Sequence, residues 1–108
     1  MSKIFYDHLI VFERLEVHIN STVSNHEEKH ELWEIIDKLV HNRVISKILE
    51  ILPNRHHDEF AELLHNRPYD KNIIDYLDEA SNKNIEEHIR KEIEELEKEI
   101  IQDLEKDE

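Results

Sequence analysis

The 108-residue sequence has no glycine, no cysteine, two prolines and one tryptophan. Phosphate-cradling loops, dinucleotide-binding turns and tight hairpins need a residue that takes positive φ freely, so the lack of glycine disfavours whole classes of nucleotide enzyme. With no cysteine there is no disulfide framework, thiolate nucleophile or thiolate zinc site, which suits a reducing compartment. Bases are also scarce. Fourteen Lys and Arg stand against 27 Asp and Glu, leaving a formal charge of −13 that repels phosphate backbones and anionic lipid. Direct binding to nucleic acid or to a membrane surface is therefore not expected. The apolar run near the N-terminus is only four residues, Leu9, Ile10, Val11 and Phe12, too short for a signal segment or a membrane span, and the expected location is the cytoplasm.

What is present is helical periodicity, most clearly over residues 41–64. Val44, Ile45, Ile48, Leu49, Ile51 and Leu52 recur at helical spacing up to Pro53, and Phe60, Leu63 and Leu64 resume the period beyond it. Proline lacks an N–H and biases the residue before it out of the helical well, so one helix stops at Leu52 and the next starts after Pro53. A helix–turn–helix corner at the centre of the domain follows. Residues 3–20 place Phe5, Leu9, Phe12, Leu15 and Ile19 on one stripe and are read as a first helix, although Leu15, Val17 and Ile19 also alternate as a strand would. Ser24-Asn25-His26-Glu27 has the form of a capping box opening the second helix.

Within that second helix the apolar side changes. Leu32, Ile35, Ile36 and Leu39 face one way, but from Val44 to Leu52 the apolar arc has rotated by about 150°. Such a helix must be covered on both sides or bend near His41-Asn42-Arg43. A short helix with Phe60, Ala61, Leu63 and Leu64 should end by Asn66, and Asp70 reads as the N-cap of a helix carrying Ile73, Tyr76, Leu77 and Ala80. Asn84 then caps a final helix over 85–108, whose end should fray. Eleven acids and four bases crowd that helix around a narrow seam of Ile85, Ile89, Ile93, Leu96 and Ile100. Glu86–Arg90, Glu87–Lys91 and Glu94–Lys98 are oriented as favourable pairs one turn apart. So thin a stripe suits a single partner helix, in the same chain or in another.

Two strings could carry metal chemistry. His26-Glu27-Glu28-Lys29-His30 matches H-E-x-x-H, in which two histidines one turn apart hold zinc and the glutamate activates water. Nine histidines and nineteen glutamates make such a string cheap, and this one overlaps a cap and points away from the apolar arc. Glu27-x-x-His30 and Glu62-x-x-His65 are two copies of the pair used by di-iron bundles, with Glu13 or Glu16 as further carboxylates. Glu62 and His65, however, sit about 170° from the core side of Phe60, Leu63 and Leu64. The histidines could also act as acid sensors, and Trp33 reads as core or as an interface anchor.

Read whole, residues 27–64 form the pattern E-E-K-x-x-L-W-x-I-I-D-x-L-V, then R-V-x-x-x-I-L-x-x-L-P-x5-E-F-x-x-L-L. The matching positions include Arg43, Val44, Ile48, Leu49, Leu52, Pro53, Glu59, Phe60 and Leu64. The pattern resembles a family of short, acidic, all-helical bacterial proteins of uncharacterised function. The resemblance implies a helical fold and transfers no active-site residue.

The expectation is a single all-α domain over 1–108 with about five helices, no cofactor and no enzymatic activity. It should meet a protein partner or a second copy of itself through Ile89, Ile93, Leu96 and Ile100, because a seam flanked so heavily by charge is poorly suited to the middle of a core. The alternatives are a bundle metalloprotein using His26, Glu27, His30, Glu62 and His65, and an acidic decoy occupying the nucleic-acid groove of a basic protein.

Overall fold

Local chemistry sets most helix boundaries in the computed structural model, which describes residues 4–106. The chain runs through α1 (Glu13–Thr22), α2 (His26–Ile51), α3 (His57–Asn66), α4 (Asn72–Ser81) and α5 (Ile85–Lys106), with 3-10 turns at Asp7–Leu9 and Asn54–His56. There is no strand among the described residues, and the architecture is all-α. Leu52 leaves the helical well at ψ 130° ahead of Pro53, as an X-Pro step requires. The Leu52 carbonyl is then taken by the His57 ring, whose Nε2 donates to it at 2.8 Å. This bond closes the corner.

The N-cap of α4 is Lys71, which provides no side-chain cap, one residue after the expected Asp70, but side chains still serve the first amides of α4 and α5. Asp70 Oδ1 accepts from Asn72 N at 2.9 Å, and Asn84 Oδ1 accepts from Glu87 N at 3.2 Å. Asp78 adds a second acceptor at the start of α5, taking the Ile85 amide at 2.9 Å. At the end of α4, Asn82 adopts φ 58°, the left-handed turn that a glycine usually supplies. In a chain without glycine, asparagine is the next-best residue for that conformation.

Three further local readings are corrected. The first helix begins at Glu13 rather than near residue 3: Phe5 and Tyr6 are buried ahead of the 3-10 turn Asp7–Leu9, Leu9 is buried within it, and Ile10 is extended. The reason is tertiary, since the Phe5 amide bonds to the Pro68 carbonyl at 2.7 Å and ties this segment to the loop before α4. The expected start at residue 3 and the end at 107–108 lie outside the described residues. At α2 the cap is Asn25, which accepts from Glu27 N and Glu28 N at 2.8 and 3.4 Å, not Ser24. α2 itself is one continuous helix of 26 residues, and its second apolar side is not covered: Ile35, Leu39 and Leu49 are exposed.

The core is built where α5 lies along α2 and α1. α2 contributes Ile36, Val40, Val44 and Ile48, spaced four apart; α1 contributes Leu15 and Ile19; α5 contributes Ile85, Ile89, Ile93, Leu96 and Ile100. The molecule is elongated, 45 × 26 × 18 Å, with a radius of gyration of 15.4 Å. A compact chain of this length would have about 13 Å. Arg43 on α2 binds two α5 carboxylates, with Nε at 2.9 Å from Glu92 and Nη2 at 2.7 Å from Glu99, while Lys47 stands 3.5 Å from Glu92. On the surface of α5, Glu86–Arg90 and Glu87–Lys91 close at 3.9 and 4.0 Å, whereas Glu94–Lys98 does not close.

One charged residue is buried among the described residues. Glu97 is 5% exposed, receives Arg14 Nε and Nη2 at 3.3 and 3.2 Å, and accepts the Leu15 amide at 3.2 Å. α1 opens at Phe12 with no side-chain cap of its own, so α5 supplies one. A carboxylate there also meets the positive end of the α1 dipole. Replacing Glu97 by Ala leaves the Leu15 amide and Arg14 without their acceptor and should lower stability by about 1–3 kcal/mol in urea unfolding. Hydrogen exchange at the Leu15 amide should accelerate with it. An alanine variant of unchanged stability would contradict the role.

Candidate interaction surface

The metal readings find no geometry to support them. Among the described residues no three His, Asp or Glu side chains gather at spacing fit for a metal ion, so Glu27, His30, Glu62 and His65 do not converge. His30 instead pairs along its own helix, with Nε2 2.9 Å from Glu34, and both side chains are largely exposed. His26, Glu27, Glu62 and His65 are likewise exposed. Glu62 and His65 are surface residues because the face of α3 that looks inward carries Phe60.

The α5 seam is also placed differently from the expectation. Ile89, Ile93, Leu96 and Ile100 are buried within the chain, between 1% and 7% exposed, so in this conformation they are core and not a docking surface. Their partner helix is α2 of the same chain. Trp33 is half-buried and packs at 6.3 Å against Phe12, closer to a core role than to an anchor.

A cleft of about 530 Å3 lies between the N-terminal turn, α1 and α5, with Leu9 and Ile93 at its base. Its basic side chains already have carboxylate partners: Arg14 binds Glu97, and His8 and Arg90 stand 3.2 and 3.9 Å from Glu86. No serine, threonine, cysteine, lysine or tyrosine lines it.

The feature the interior does not use is the outer side of α2. Ile35 is 55% exposed, Leu39 42% and Leu49 36%, while the opposite side of the same helix is closed by Ile36, Val40, Val44 and Ile48. Together with half-buried Leu32 and exposed Asn42 and Ser46, these residues form a row at positions 32, 35, 39, 42, 46 and 49. The steps alternate three and four, the heptad rhythm of a helix that packs along another helix. None of the six is charged, on a chain in which 38% of residues are. The two-sidedness of this helix was legible in the sequence; that one side would stay open was not.

A shallow groove of about 370 Å3, lined by Asp37, Lys38, His41 and Asn42, flanks the row. Next to it, the buried Tyr6 hydroxyl is hydrogen-bonded to His41 Nδ1 at 2.9 Å. Comparison with protein-family models, curated proteins and solved structures finds no match for this chain.

Burial, followed by the nearby Asp37 and Asp7 charges, pushes the Tyr6 phenol from 10.0 up to about 12. Burial, with Glu59 adding to it, does the same for Tyr76. The unfolded chain therefore releases these protons first, and stability is full below pH 10.0 and declines as pH rises through about 12. Tyr6→Phe should remove part of that decline in alkaline unfolding curves and delete a late step from the tyrosinate absorbance titration. An identical alkaline profile in the variant would contradict the assignment.

Proposed function

We propose that this protein is a helical interaction module without enzymatic activity, docking through the outer face of α2. The observation that carries the reading is the uncharged row at positions 32–49, three of whose four apolar residues are exposed on a continuous helix. Single exposed apolar side chains are ordinary, and Val17, at 70% exposure on α1, is one. A heptad-spaced row of them is not ordinary on a soluble surface, because it offers a ridge that a second helix can bury. The rest of the surface supports the same reading by contrast. Its abundant carboxylates keep the chain dispersed and leave the row as the place where apolar contact is open.

A photo-cross-linking side chain placed at Leu39, in the protein expressed in its native cells, should yield a discrete adduct, while the same group at Val17 yields none. Both sites are exposed enough to tolerate the substitution. Adducts at neither site, or equally at both, would overturn the docking reading.

A further inference from the structure

Building on that reading, we infer that the occupant of the α2 row is an amphipathic helix of another protein. Its apolar stripe is bordered by Lys and Arg, and it lies antiparallel to α2 with those bases over Glu27, Glu28 and Glu31. Among the described residues six large apolar side chains are exposed, and three of them, Ile35, Leu39 and Leu49, stand on this row. The others, Val11, Val17 and Tyr69, are scattered over the segment before α1, α1 itself and the loop before α4. α5 is rich in carboxylates, but its apolar stripe is closed inside the chain and none of its large apolar side chains is exposed among the described residues. An open apolar row with free carboxylates at its border is thus a property of α2.

The charge beside the row is negative because the bases of α2 are engaged elsewhere. Arg43 binds Glu92 and Glu99 of α5, Lys47 stands by Glu92, and Lys38 is the one lysine or arginine of α2 that is exposed. Glu28 and Glu31 are exposed one turn before Leu32 and Ile35, with exposed Glu27 beside them. None of these three is ion-paired among the described residues. A helix that covers Ile35, Leu39 and Leu49 therefore brings its flank against uncompensated carboxylates, where Lys or Arg is attracted and Asp or Glu repelled. A second copy of this chain fails that requirement, since it brings the same formal charge of −13 and its own Arg43 and Lys47 are already taken.

Polarity follows from where the carboxylates lie. Glu27, Glu28 and Glu31 occupy the first two turns of α2, at the positive end of its dipole. Bases are favoured at the opposite end of a helix. A partner with its bases near its own C-terminus meets these acids when it runs antiparallel, which also opposes the two dipoles. Further along, Asn42 and Ser46 are uncharged and call for no charge opposite them. At 1.5 Å per residue the row is about 25 Å long, and one helix seated on it belongs to the transient class of contacts, below about 1,200 Å2 in total.

Synthetic fluorescein-labelled helices of about 21 residues, with leucine at the heptad positions, test the inference. One carries lysine at the flanking positions of its C-terminal half, a second carries glutamate there, and a third carries the lysines in its N-terminal half instead. Fluorescence anisotropy against the full-length chain at low salt should show the first binding at least about tenfold more tightly than the second, and more tightly than the third. Leu39→Ser, and separately the combined Glu27→Gln, Glu28→Gln and Glu31→Gln, should each weaken the first helix by about tenfold, while Val17→Ser leaves it unchanged. Circular dichroism verifies that each variant is folded. Binding of the first helix that ignores Leu39→Ser would mean attraction to carboxylates elsewhere and would overturn the inference, as would no binding or indifference to the glutamine changes. Equal binding of the first and third would overturn the antiparallel placement. Equal binding of the lysine and glutamate helices, both lost in Leu39→Ser, would remove the basic partner while leaving the docking face in place. A photo-adduct at Leu39 that joins two copies of this chain would likewise overturn it.

Discussion

Everything in this molecule depends on the pairing of α5 with α2. α5 is so densely charged that its apolar residues are confined to a stripe one side chain wide, and that stripe can satisfy itself only against a helix with a matching row. The i, i+4 row of Ile36, Val40, Val44 and Ile48 is that match. Polar contacts fix α5 at two points: Arg43 of α2 spans Glu92 and Glu99 on one flank, and Glu97 reaches the other way to the start of α1. The carboxylates on α5 are thus not uniformly solvating, and the few that face inward align three helices.

That pairing has a consequence for α2. Its apolar residues are distributed around more of its circumference than one partner can cover, and α5 with α1 covers only the inner part. Ile35, Leu39 and Leu49 remain outside, and α4 packs against α5 rather than over them. The elongated 45 × 26 × 18 Å shape is the global expression of the same shortfall of cover. A single layer of helices on one side of α2 leaves a long bare ridge on the other.

The parts of this fold legible in the sequence are those fixed by neighbours along the chain. Pro53, Asp70 and Asn84 each act within three residues; Pro53 and Asn84 mark the boundaries they suggest, and Asp70 lies one residue before the Lys71 cap of α4. The α5 seam was legible as a seam, but not as internal packing, because spacing alone is the same for a partner in the same chain or in another. The segment before Glu13 was misread because its conformation is set by the bond from Phe5 to Pro68, sixty-three residues away, which no local period reports. Glu97 was missed among the many acids of its helix. Its signal was present, since it lies four residues after Ile93 and three before Ile100, inside the apolar stripe. The E-x-x-H pairs show the converse: correct spacing on one helix says nothing about which face turns inward.

The most direct measurement of this account is residue-resolved amide hydrogen exchange on dilute protein. If α5 is held against α2 within one chain, amides over positions 89–100 should be protected to the same level as those over positions 40–48 of α2, independent of protein concentration. Fast exchange across α5 while α2 remains protected, or protection that appears only as the protein is concentrated, would mean that the seam is filled by another molecule and that the internal pairing is wrong.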